Sequence, residues 1–172
     1  MRSSSTIGRT TEASAASREG GCLCGALRYR VARGTELCVY CCHCRDCQRL
    51  TSSAFALAMV VPAADFTLLA GEPGRIRRRA DSGREIEGCF CARCGTRVFD
   101  SFPAFPDILI VRIGGLDDPR GLRPVAQFWT ARKQDWVVLP PDQLVDPYQP
   151  DGFAAVIALY QARQAAGDGP KS

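Results

Sequence analysis

No apolar stretch in the 172 residues approaches the roughly 20 positions that a bilayer-crossing helix needs, so no membrane span is expected. The segment from Met1 to Gly20 carries no hydrophobic h-region, which argues against a signal peptide and for a reducing, cytoplasmic setting. Its Ser, Thr, Ala and Arg content is faintly like a transit peptide, against which Glu12 and Glu19 stand. Residues 1–18 and 168–172 are expected to be disordered tails around one globular domain. Only two lysines, Lys133 and Lys171, occur among the 22 basic residues, so the net charge of +4 is carried by arginine. Because acidic residues interleave with these arginines, a solvated surface is favoured over a phosphate-binding or carboxylate-binding one. Histidine is scarcer still: His43 stands alone.

Against these scarcities stand ten cysteines in three clusters. They are Cys22 and Cys24 before Gly25; Cys38, Cys41, Cys42, Cys44 and Cys47; and Cys89, Cys91 and Cys94 before Gly95. Without a secretory leader such clusters suggest metal or thiol chemistry rather than disulfides. A C-x-x-C turn, as at Cys44/Cys47 and Cys91/Cys94, lets two thiolates converge on a tetrahedral ion. Zinc is preferred, since thiolates are soft ligands and no ferredoxin spacing is present. Gly25 and Gly95 suit turns that need positive φ and a close approach of backbone to sulfur.

The sharing of ions is open at this level. Pairing Cys44/Cys47 with Cys91/Cys94 makes a zinc ribbon and orphans Cys22 and Cys24. Closing Cys22, Cys24, Cys91 and Cys94 around one ion leaves Cys42, Cys44 and Cys47, three ligands with one position vacant, as in catalytic zinc. Cys38, Cys41 and Cys89 are read as packing thiols.

Around the clusters the chain is mainly β. Strands are predicted at Ala26 to Val31, Ala54 to Val61, Arg75 to Arg79, Glu85 to Phe90, Ile108 to Ile113 and Val125 to Thr130, separated by Gly- and Pro-rich breaks. One amphipathic helix is predicted near the end, capped by Asp151, with Phe153, Val156, Ile157 and Tyr160 on one face and Gly167 as terminator.

The runs Gly21-Cys22-Leu23-Cys24-Gly25, Cys42-His43-Cys44-Arg45-Asp46-Cys47-Gln48-Arg49 and Phe90-Cys91-Ala92-Arg93-Cys94-Gly95-Thr96 resemble the glutathione-dependent formaldehyde-activating enzyme family, which includes centromere-protein-V-like proteins. The resemblance spans roughly residues 20–140. It implies an Mss4-like β-tent of short antiparallel strands in a domain over residues 19–145, which the helical period read above extends over 146–167. It also implies two zinc ions, a structural one on Cys22, Cys24, Cys91 and Cys94 and a second on Cys42, Cys44 and Cys47. The implied activity is a carbon–sulfur lyase run backwards, condensing formaldehyde with glutathione to S-(hydroxymethyl)glutathione, with Cys42, Cys44 and Cys47 as the catalytic group. Partners are then a small thiol and an aldehyde, with no membrane and no nucleic acid; self-association is open. A non-catalytic binding module and a thiol-based metal or redox sensor are the competing classes.

Two features depart from the family. Gln127, ahead of Phe128 and Trp129, stands where many relatives carry histidine, and it cannot transfer a proton. The helical extension is the other, read as serving packing or self-association. For His43 an orienting hydrogen bond, a general base and a zinc ligand all compete. Arg45 and Arg49 are candidates for the carboxylates of glutathione, although solvated helix-surface arginines are the commoner case, and Arg75, Arg77 and Arg79 share a strand face whose reading as a nucleic-acid track is disfavoured for want of interleaved aromatics or a motif.

Overall fold

The computed structural model describes residues 17–167, so the tails expected at 1–16 and 168–172 lie outside the described residues. Ser17 and Arg18, read as the end of the leading tail, instead open the first strand.

Two sheets form the body. The smaller has the order β1-β2-β5, with β1 Ser17–Gly21, β2 Arg28–Ala32 and β5 Phe66–Ala70. The larger has eight strands in the order β11-β10-β3-β4-β9-β8-β7-β6. Its members are β3 Cys38–Cys42, β4 Ala56–Pro62, β6 Gly74–Arg79, β7 Glu85–Phe90, β8 Arg97–Ser101, β9 Ile108–Arg112, β10 Ala126–Phe128 and β11 Leu144–Val145. Pairing is antiparallel except at β10, which runs parallel to both β3 and β11. Two helices complete the chain, α1 Arg45–Thr51 and α2 Ala154–Ala165.

Position in the sheet explains the strand sequences. β2 alternates buried Tyr29 and Val31 with outward Arg28 and Arg30, as a sheet with one wet face requires. β4 lies between β3 and β9 and buries Ala56, Ala58, Met59, Val60 and Val61 in a near-continuous run. The sheets meet through rings: Phe66 of β5 stacks 5.3 Å from Tyr29 and lies 4.8 Å from Phe99 of β8. Aromatic pairs of this kind stabilise by about 0.5–1.5 kcal/mol beyond their burial.

α2 lies where the periodicity predicts a helix, but its cap differs. Phe153, not Asp151, is the N-cap, and no side chain caps it. The helix is anchored by burial of Val156 and Tyr160, and by Phe153 packed 5.7 Å from Tyr40 and 6.0 Å from Phe128. Gly167, at φ 75°, follows the last turn as expected.

Between β7, β8 and β9 lies a buried charge triad. Asp100, 2% exposed, accepts from Arg97 and Arg112. Gly88 makes room for it, because a Cβ there would lie 2.4 Å from the Arg97 guanidinium.

Candidate metal centres and the cavity beside one of them

The cysteines gather as two groups. The thiols of Cys22, Cys24, Cys91 and Cys94 lie within 4.8 Å of one another, and so do those of Cys42, Cys44 and Cys47. Cys44 and Cys47 therefore group with Cys42 and not with Cys91 and Cys94, as a ribbon would have required.

The first group is made by two matching turns. In one, Cys22 N–H donates to Leu27 O and Gly25 N–H to Cys22 O; in the other, Cys91 N–H donates to Thr96 O and Gly95 N–H to Cys91 O. Gly25 at φ 75° and Gly95 at φ 76° supply the left-handed residue each turn needs. A Cβ at either would meet nothing within 4 Å, so the requirement is conformational, and the expected close approach to sulfur plays no part. Thr96 links the turns: its hydroxyl accepts from Leu23 N–H at 3.2 Å and lies 3.2 Å from Cys94 Sγ. The Cys22–Cys24 and Cys24–Cys91 sulfur separations are 3.5 and 3.7 Å. A tetrahedral ion with Zn–S bonds of 2.3 Å needs sulfurs about 3.8 Å apart, so four thiols at this spacing fit zinc.

The second group is local. Cys42 ends β3, and Cys44 is the N-cap of α1, its sulfur accepting from Cys47 N–H at 3.3 Å. The three thiols interact closely: hydrogen bonds from Cys42 and Cys47 hold Cys44 low, as a thiolate, while the same contact drives Cys42 well up. Arg112 is kept protonated despite its burial by Asp100, then by Cys47 and Tyr40. A cation therefore stands beside the sulfurs. Three converging thiols with one favoured as thiolate fit a zinc ion and leave one position of a tetrahedron to something else.

This second group opens on a cavity of about 290 Å³ lined by Cys42, Cys44 and Cys47. Its remaining wall comes from β3, β6, β7, β8, β9 and β10, the start of α1, the β6–β7 turn, the stretch after β8, and the approach to α2 from Gln149 to Phe153. Cys22, Cys24, Cys91 and Cys94 do not line it.

Other expected residues sit elsewhere. His43 is fully buried, with Nε2 2.7 Å from Gln127 Oε1 and its ring 5.2 Å from Phe55. Gln127 in turn donates to Gln143 Oε1, and Gln143 to Pro124 O. Neither His43 nor Gln127 lines the cavity, so the orienting hydrogen bond and packing account for His43, and Gln127 meets the site only through it. Cys38, Cys41 and Cys89 are buried outside both groups, and burial pushes their thiols up to about 12, 11 and 11.

The arginines near the cluster lie off the cavity, as helix-surface arginines do. Arg45 donates to Gln48 Oε1 at 2.6 Å, and neither it nor Arg49 reaches the cavity. The arginines that do are Arg78, Arg84 and Arg112, from distant strands and a turn. Nothing in their local sequence marks them. Arg75 and Arg77 share Glu87 at 2.5 and 3.1 Å, which neutralises part of the supposed track. The helical extension likewise does more than pack, since Gln149, Asp151, Gly152 and Phe153 line the cavity.

The family model described as glutathione-dependent formaldehyde-activating enzyme matches residues 17–132. Among solved structures, the chain is similar to a Rhodobacter sphaeroides protein, with a TM-score of 0.46 and 22% identity over 62% of this chain and 91% of that one. No described helix is long and apolar enough to cross a membrane. With both cysteine groups inside the matched region, the chain belongs to the glutathione-dependent formaldehyde-activating enzyme family.

Proposed function

We propose that the protein is a zinc-dependent carbon–sulfur lyase-type enzyme that joins a small thiol, glutathione or an analogue, to an aldehyde in the cytoplasm. Two zinc ions per chain are assigned, one held by Cys22, Cys24, Cys91 and Cys94, the other by Cys42, Cys44 and Cys47. The observation that carries the reading is that the three-thiol group, and not the four-thiol group, opens on the cavity.

Zinc bound there would lower the pKa of an incoming thiol, so that its sulfur is present as thiolate at neutral pH. The protein's own part is to converge three thiols at the cavity, to place Arg112 beside them, and to bring thiol and aldehyde together in a confined space. Addition is balanced without redox. A C–S bond forms at the carbonyl carbon, the C=O π pair moves onto oxygen, and the proton given up by the thiol ends on that oxygen. Because three thiolates weaken a metal's pull on a carbonyl, capture of sulfur matters more here than polarisation of the aldehyde.

The test is glutathione titration with metal analysis. Saturable binding, together with two zinc ions in the parent and one in Cys44→Ser, is expected. Two zinc ions without thiol binding would point to a non-catalytic module, and one zinc ion in the parent would remove the second site.

A further inference from the structure

The cavity is lined largely by hydrocarbon. Buried Ile110, Phe128 and Trp129 and partly buried Phe102 and Phe153 face it, with Phe105 at 47% exposure. Its charges are mostly satisfied within the protein. Arg78 pairs with Asp46 at 2.6 Å, Arg112 with Asp100, and Asp81 with Arg132. Arg84 lies over the Phe105 ring, its guanidinium carbon 5.6 Å from the centroid. Among the described residues that line the cavity, exposed Asp151 and Arg84, whose guanidinium meets only the Phe105 ring, stand without an opposite charge. A ligand whose bulk is charged would find few free counter-charges here, whereas an apolar body would find rings.

One part of this wall lies outside the region matched by the family model. Phe153, with Gln149 and Gly152, lies beyond residue 132, where the family match ends. The extension thus adds an aromatic ring to the same cavity that the matched region's three thiols open on.

We infer that the site is shaped for a thiol–aldehyde pair in which one partner carries an apolar, ring-sized or alkyl body seated on Phe105, Phe128, Trp129 and Phe153. This rests on the thiol reading above. The body belongs either to the thiol or to the aldehyde, and the chemistry of addition is unchanged by which.

Both sources can be tested on the zinc-loaded chain. In the thiol arm, calorimetry compares benzyl mercaptan with 2-mercaptoethanol, which share the reacting sulfur and differ in the body. In the aldehyde arm, adduct formation with glutathione is timed for hexanal against formaldehyde. A preference of at least about tenfold for the apolar member is expected in one arm, from the burial of its hydrocarbon. Phe105→Ser should cut that preference to below about threefold at unchanged zinc content, and Phe105→Leu should restore most of it. Phe153→Ser should act in the same direction, while the half-exposed Phe105 keeps the test independent of whether that variant folds. No preference in either arm, while glutathione or 2-mercaptoethanol still binds, overturns this inference and leaves the thiol reading standing. Binding of no thiol at all overturns both.

Discussion

The two cysteine groups bring the same kind of atom together in opposite ways, one across the fold and one locally, as sequence separation shows. Cys24 and Cys91, whose sulfurs lie 3.7 Å apart, are 67 residues apart in the chain. Cys22 and Cys24 follow β1 of the small sheet, and Cys91 and Cys94 join β7 to β8 of the large one. An ion there would clamp one sheet to the other. Cys42, Cys44 and Cys47 span one strand end and the first turn of α1, so an ion there constrains little that the backbone has not already fixed. The difference is the basis of the proposed roles, in which long-range closure marks the supporting site and an adjoining cavity the reactive one.

The strongest way to break this contrast is to empty each site in turn. Structural zinc contributes on the order of 10 kcal/mol of apparent binding energy in small domains. Cys94→Ser should therefore be insoluble or lose near-ultraviolet circular dichroism, while Cys44→Ser should melt cooperatively near the parent and lose thiol binding. Serine is also a good N-cap, so the second variant keeps the start of α1. Equal collapse of both in a thermal melt would erase the contrast.

A smaller loss is expected from the charge triad that adjoins the reactive site. Asp100→Ala leaves Arg97 and Arg112 buried without their shared carboxylate, and removing one partner of a buried ion pair costs about 3–5 kcal/mol. Urea denaturation should show that loss with both zinc ions still bound. Zinc lost from the cavity site alone would instead make Arg112 part of what holds the metal.

The supporting site can be sharpened by pH. The Thr96 hydroxyl is the leading cause that brings Cys94 from the ordinary 9.0 down to about 5. A group depressed on folding contributes stability above its unfolded pKa and loses it as pH falls through the folded value. The Thr96 hydroxyl thus favours the ionised Cys94 that a metal ligand must be. Thr96→Val should release the ion of this site at higher pH, followed by a zinc-sensitive dye, and leave the cavity site's release unchanged.

Least is expected from Gln127→His. Because position 127 touches His43 and not the cavity, thiol binding and adduct formation should stay within about threefold of the parent. A larger gain in rate would show that a proton-transferring group at that position reaches the reactants after all.

What could be read from the chain follows from how far apart the cooperating residues are. Cys44/Cys47 and Cys91/Cys94 declare themselves through local spacing, and β7 and α2 through periodicity. β3, by contrast, reads Cys-Val-Tyr-Cys-Cys with four of its five residues buried, so it offers no alternation and its cysteines read as motif before strand. β8 hides similarly, burying Val98, Phe99 and Asp100 in succession. α1 has seven residues, too few for a helical period to emerge. The cavity was invisible for a different reason. Arg78, Phe105, Arg112 and Phe153 come together only once β6, β9, the stretch after β8 and the approach to α2 are placed, and no short-range signal encodes that.

The arginines of β6 acquire another meaning from their place in the large sheet. β6 is its outermost strand at one end, and an outermost strand offers unpaired amide and carbonyl groups to any passing chain. Arg75, Arg77, Arg78 and Arg79 crowd that border with long, polar side chains, three of them held in ion pairs, while the border at the other end, β11, is only two residues long. What looks in the sequence like a track for phosphates thus serves as a fence, keeping the eight strands from recruiting a ninth out of a neighbouring molecule.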